Sequence, residues 1–220
     1  MEQAPPTEPP LELLHADEAL LVLVKPAGLL AVPGRGEDKQ DCLAARAQAC
    51  FPDARVVHRL DMSTSGLMLM ARGDEAQRRL GRAFETRRVH KRYVALVDGR
   101  LGLAGGGWRT LELPLACDWP NRPRQIVSFE HGKPAVTRWR VLAHDLPPGT
   151  TRVELEPVTG RSHQLRVHMR ALGHPMLGDA LYASPAVQAL APRLLLHAWR
   201  LELEHPASGA AMEFECPPPF

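Results

Sequence analysis

The sequence predicts an α+β fold, a long mixed, mostly antiparallel sheet with flanking helices. Three observations lead there. Strand-length runs outnumber helical patterns. In the middle of the chain, runs at 109–115, 124–129, 134–143 and 151–156 follow one another with only Pro, Gly and Asn between them, as antiparallel pairing requires. Helical periodicity is confined to a few separated segments, so the order is not that of repeated βαβ units.

The elements read as follows. Residues 1–10 carry four prolines and two glutamates and suggest a flexible leader; residues 1–19 are assigned to it and 20–220 to one folded domain. Residues 20–24 are an apolar run ended by Lys25-Pro26, a buried strand. A helix is expected over 41–51 with Asp41 as cap and Pro52 just beyond. A loop at 54–66 feeds the apolar strand 67–71. A helix over 74–86 is capped by Asp74 and Arg-rich on its outer side. Residues 91–97 alternate as a strand that includes Tyr93. A helix over 161–172 has Ser162 as cap and Gly173 just past its end. A loop covers 174–192, a strand 193–204, and a last short strand 212–215.

The 220 residues are enough for a core without disulfide or metal staples. Cys42, Cys50, Cys117 and Cys216 form no C-x-x-C pair, so free thiols and a cytoplasmic protein are expected. No secretory leader or bilayer-length apolar run is visible. Net charge is +2, from 27 Lys and Arg against 25 Asp and Glu, so a nucleic-acid surface would have to come from charge distribution rather than the sum.

The densest chemical signal is His58-Arg59-Leu60-Asp61-Met62-Ser63-Thr64-Ser65-Gly66. A carboxylate followed by small hydroxyl residues and a glycine suits a turn that aims the acid at a cleft. The plainer reading is a loop Asp bonding its own backbone. A second signal is 159–170, where Leu165, Met169 and Leu172 share one helical face and His163, Arg166 and Arg170 another. That positive face is read as solvated or as the source of a cation, Arg166, for an ionised Asp61, since a buried lone carboxylate is costly. The third is Tyr93, placed on a strand to stack on a base, or simply a core tyrosine.

Together these segments resemble the RluA family of RNA pseudouridine synthases. The family's H-R-L-D-x-x-T-S-G stands unbroken at 58–66. Its K-x-Y-x-A element is matched by Lys91, Tyr93 and Ala95. Its T-G-R-x-H-Q-L-R-x-H element lies at 159–168, followed by Leu177-Gly178-Asp179, and its R-L-x-L-H-A strand at 193–198. Cys117-Asp118-Trp119-Pro120-Asn121-Arg122-Pro123 resembles the founding member, whose substrates are a tRNA anticodon-loop uridine and a 23S rRNA hairpin-loop uridine. Many relatives carry an extra N-terminal S4 domain, which is not expected here.

The resemblance implies the pseudouridine synthase catalytic fold over 20–220, with a central active-site cleft. It implies Asp61 as catalytic carboxylate, Tyr93 on the uracil and Arg166 paired with Asp61. It also implies substrate contacts from Arg59, His58, Thr64, Lys91, Arg161 and His163, with Leu195 or Leu196 under the ring. No cofactor or metal is expected, because the isomerisation gains and loses no atoms. RNA is the expected partner, with a monomer the default and no membrane. Phosphate contacts are expected among Arg35, Arg78, Arg79, Arg82, Arg87, Arg88, Lys91, Arg122, Arg124 and Arg161. The rivals are a catalytically inactive RNA-binding module of the same fold and a magnesium-dependent aspartyl phosphotransferase. The latter would need further convergent carboxylates, for which Asp179 is the candidate. His163 and His168 are five apart and share a helical face poorly, which disfavours a histidine metal site.

Overall fold

The computed structural model describes residues 10–145 and 147–220, apart from the side chain of Asp38. In chain order the elements begin with β1 (Glu12–Ala16), β2 (Leu20–Lys25), α1 (Leu43–Cys50), β3 (Ala54–Val56), β4 (Ser65–Arg72), α2 (Gly73–Glu85) and β5 (His90–Asp98). They continue with β6 (Arg109–Glu112), β7 (Leu115–Cys117), β8 (Gln125–Val127), β9 (Val136–His144) and β10 (Thr150–Pro157). Last come α3 (Gln164–Ala171), α4 (Pro185–Gln188), β11 (Leu196–Glu204) and β12 (Ala211–Glu215). The strand pairs β1–β2, β2–β4, β3–β4, β5–β10, β10–β9, β9–β6 and β7–β8 are antiparallel, so the expected α+β class holds. No helix among the described residues is long and apolar enough to cross a membrane.

The chain forms two compact units. One holds the residues up to Val89 together with Glu202–Cys216; the other holds His90–Leu201 with Pro217–Phe220. In the first, the strands run β1-β2-β4, with β3 also on β4 and β12 on the end of β11. Leu20, Leu21, Val22 and Leu23 have no exposed surface, and Leu67 to Ala71 are almost as deep. A strand covered on both faces reads as a continuous apolar run rather than an alternating one. In the second unit the order is β11-β5-β10-β9-β6, and β7 and β8 form a separate two-stranded hairpin.

Several boundaries differ from the sequence expectation. The leader falls largely on residues 1–9, outside the described residues, but β1 lies inside its assigned span and pairs with β2. Helix α1 is capped by Cys42, whose Sγ accepts from the Ala45 N–H. Asp41 instead grips Arg46 through both carboxylate oxygens, a stronger use of its charge. Asp74 sits in the first turn of α2 without a capping bond, and binds Arg55. The expected loop at 174–192 contains the short helix α4, capped by Ser184, and β11 starts three residues later than expected.

The turn into β2 is organised by Asp17. Its Oδ1 accepts from the N–H groups of Ala19 and Leu20, at 2.8 and 2.9 Å. Its Oδ2 accepts from His15 at 2.7 Å and faces His205 at 3.3 Å. Burial pushes the carboxyl up, but His15, the two N–H groups and His205 outweigh it and hold the pKa at about 2. With the folded value below the unfolded one, this stabilisation is complete above the ordinary value of 3.8 and is lost as pH falls through about 2. Asp17→Asn is therefore expected to cost on the order of 2 kcal/mol at neutral pH and much less near pH 2. Urea denaturation across that range measures it; a cost independent of pH would contradict the assignment.

Candidate active site

Asp61 opens a tight turn in which its carbonyl accepts from the Thr64 N–H at 3.0 Å. Thr64 and Ser65 are buried, Met62 is exposed, and β4 begins directly afterwards. The turn is held from below by Lys25, whose side chain has no exposed surface. Its ammonium donates to the carbonyls of Pro26, Leu29 and Met62 at 2.8, 2.7 and 3.0 Å. The Met62 carbonyl also accepts from the Gly28 N–H. Burial lowers the Lys25 pKa to about 8, opposed by the attraction of Asp61. A cation thus sits within the field of the candidate acid. Sequence reading placed Lys25 at a strand end; the signal available there was a lysine directly following a fully apolar strand.

His58 is built into the same unit. Its Nε2 accepts from the Leu69 N–H at 2.8 Å, and its ring stacks on Phe84 at 4.8 Å. Arg59 is exposed. Arg78 and Arg79, expected on phosphates, both pair with Glu75.

In the second unit, β5 alternates. Tyr93 is buried on the face it shares with Ala95 and Val97, and Arg92, Val94 and Leu96 lie on the other. Lys91 is half-buried, and burial lowers its pKa. Leu195 packs with Leu96, Leu177 and Val187, on the side opposite Tyr93, whereas Leu196 is a separate buried residue at the start of β11.

Helix α3 is seated by a polar network that the sequence did not disclose. The Gln164 amide oxygen accepts from the Thr159 hydroxyl and the Arg161 N–H, and its NH2 donates to the Val136 carbonyl and the Thr137 hydroxyl. His168, fully buried, bonds Thr137 and the Leu113 carbonyl. Burial pushes its pKa below the usual histidine range, so it serves as a neutral strut. The expected cap, Ser162, is not one. His163 occupies the cap position with φ 54°, and its Nδ1 meets the Tyr182 hydroxyl at 2.6 Å. Arg161 is exposed, with its Nε on the Pro134 carbonyl.

Arg166 does not lie on a solvated face, which excludes one of the two readings of its helix face. It is buried against Asp179, with Nε and Nη2 at 2.8 and 2.7 Å from the two carboxylate oxygens. Asp179 Oδ1 also accepts from the N–H groups of Leu181 and Tyr182. The bidentate grip fixes the plane of the guanidinium. It also occupies the carboxylate offered as a second metal ligand, which removes support from the phosphotransferase reading. Gly178 precedes it with φ 71°, and a Cβ there would stand 1.8 Å from the Arg193 carbonyl, so this position requires glycine. Among the described residues, no group of three or more His, Cys, Asp or Glu is placed to hold a metal ion.

The family model described as RNA pseudouridylate synthase matches residues 19–171. The chain belongs to this family. It is an RNA pseudouridine synthase, an isomerase. It is 52% identical over 216 residues to the dual-specificity RNA pseudouridine synthase RluA of Escherichia coli K12, covering 98% of this chain and 97% of that one. It is 50% identical to the protein of that name from Pasteurella multocida, with the same coverage. Among solved structures, human RNA pseudouridylate synthase domain containing 1 superposes with a TM-score of 0.76 at 31% identity, over 96% of this chain and 84% of that one.

Two outcomes follow for the synthase. As pH rises through about 8, Lys25 loses its proton and Asp61 its nearby cation, so turnover is expected to fall with a limb near pH 8 that Lys25→Met lacks. A wild-type kcat profile that is level from roughly pH 7 to 10 would remove Lys25 from the electrostatics of the site. Asp179→Asn keeps the acceptor for Leu181 and Tyr182 but strips the charge facing Arg166. A loss of about 3 kcal/mol in urea denaturation is expected, together with reduced kcat.

Proposed function

We propose that Asp61 is the carboxylate that isomerises a flipped-out uridine, in a tRNA anticodon loop and in a 23S rRNA hairpin loop. Tyr93 stacks on the uracil, and Arg166 is the guanidinium partner of Asp61. Arg59 follows the everted base, Leu195 or Leu196 lies under the ring, and Thr64, His58, Lys91, Arg161 and His163 contribute to substrate binding. The enzyme acts in the cytoplasm as a monomer, with residues 20–220 as its catalytic domain.

The observation that carries this reading is the unbroken motif at 58–66 on a turn whose carbonyl is bonded by a buried lysine. The dual-specificity name of the bacterial relatives supports the choice of two RNAs.

The chemistry asks for few parts. The C1′–N1 bond breaks, the uracil turns, a C1′–C5 bond forms, and the proton on C5 leaves for N1 or solvent. A carboxylate can attack the sugar, attack the ring, or take a sugar proton to give a glycal; in each route Asp61 is nucleophile or base. Extruding a loop uridine costs a few kcal/mol, less than extruding a paired one.

Asp61→Asn tests the assignment. RNA affinity is expected to stay within about threefold, while pseudouridine formation drops by at least ~100-fold. Substantial turnover in that variant would dismiss Asp61. Activity is expected to persist in excess chelator.

A further inference from the structure

The hairpin formed by β7 and β8 has two unlike faces. Leu115 and Val127 turn inward onto Ala135, Val167 and Tyr182. Ile126, one residue out of phase, is exposed. The hairpin is fixed rather than loose. The Gln125 N–H donates to the Tyr182 hydroxyl at 2.8 Å, the Arg124 guanidinium bonds the Leu181 carbonyl, and Lys133 pairs with Leu115. Its tip is tied within itself: the Asn121 amide donates to the Asp118 carboxylate, and the Asp118 N–H donates to the Arg124 carbonyl.

On this rigid tip stands Trp119, 68% exposed, with the Arg122 guanidinium 4.6 Å from its ring centroid. In the turn just after β8, Phe129 is 79% exposed. Two large aromatics in water at a pinned arm are not needed for the core, which is complete beneath the hairpin. An exposed apolar surface of this kind marks a contact site. The cation beside it selects the partner. Arg122 is exposed at the indole, while the Asp118 carboxylate is occupied by Asn121. Exposed indole with a guanidinium on one face is a platform for a nucleobase on the other, with phosphate drawn to the cation.

We propose that the tip of the β7–β8 hairpin is an RNA-docking arm, in which Trp119 stacks on an unpaired base other than the target uridine. This rests on the loop-RNA reading above. The base is taken in its unpaired state because a paired base has both faces covered by its neighbours in the helix.

The test uses the full chain and an anticodon stem-loop RNA. Trp119→Ala is expected to raise KM, and Kd in the Asp61→Asn background, by roughly tenfold, with kcat falling far less. Trp119→Phe is expected to restore most of the affinity. A scan of single abasic positions through the loop is expected to find one site where the wild type loses about as much as Trp119→Ala does, and where the two losses do not add. Unchanged KM and Kd in Trp119→Ala, or additive losses at every loop position, overturn the proposal. So does sedimentation showing a dimer that Trp119→Ala dissociates, which would make the tip a contact between copies. Failure of the wild type to form pseudouridine in any loop RNA would instead overturn the functional reading on which the proposal rests.

Discussion

A buried ammonium is the constraint on which the acid loop depends. Placing a charged amine where it has no exposed surface is unfavourable unless its protons are bonded, and Lys25 answers that with three carbonyls. Those carbonyls belong to two segments, the loop at 26–29 and the turn at 61–64. Solvating one charge therefore fixes two loops against each other. The Gly28 N–H on the Met62 carbonyl adds a second tie between the same pair. The result is a turn whose backbone cannot relax without stranding the ammonium, and Asp61 is mounted on that turn. Burial leaves the lysine with a pKa of about 8, so the arrangement costs stability that a methionine in a purely structural role would not. The charge is retained within the field of Asp61.

The second unit solves a parallel problem with a guanidinium. Arg166 is gripped in a plane by Asp179, and the same carboxylate oxygen that takes Nη2 also takes the N–H groups of Leu181 and Tyr182. Tyr182 then reaches outward. Its hydroxyl meets His163 at the start of α3 and the Gln125 N–H of the hairpin, and the Arg166 and Arg124 guanidiniums both lie over its ring. The hairpin and the helix that carries Arg166 are thus seated on one tyrosine. A shift of the hairpin therefore pulls on that hydroxyl and, through the ring, on the Arg166 guanidinium lying over it. His163 holds an αL conformation at this junction, a local cost that the Tyr182 bond helps offset.

What could be read from the chain was what is local. The α+β class followed from short runs divided by turn residues, and the acid loop followed from a contiguous motif. What could not be read was tertiary pairing. Arg166 lay on the polar side of a helical wheel, and a wheel cannot show that an aspartate 13 residues later will fold over it. Lys25 marks only the end of an apolar run in the sequence, and its three carbonyl partners lie in two loops that no local pattern brings together. Gln164 and His168 lie inside the T-G-R-x-H-Q-L-R-x-H segment with no role legible from the pattern, and both brace α3 on the residues around Thr137. Asp41 and Asp74 stand at positions that favour caps, but an arginine within reach of each offers a charged partner instead.

The near-neutral net charge has a structural explanation in the same terms. Many guanidiniums are already matched. Arg92 and Arg140 flank the buried Glu154, Arg138 lies 3.1 Å from Glu156, and all three stack around Trp108. This cluster occupies the face of β5 opposite Tyr93, because Arg92 and Tyr93 are adjacent and a strand turns adjacent side chains to opposite sides. The pleat therefore separates two uses of arginine by one residue. On one face, cations and carboxylates cancel and rivet β5, β10 and β9 together. On the other, an aromatic ring is kept clear of that cluster. Counting charges over the whole chain averages these two populations. An RNA-facing surface is therefore defined by which cations the internal carboxylates do not claim, and that is set by strand register, not by composition.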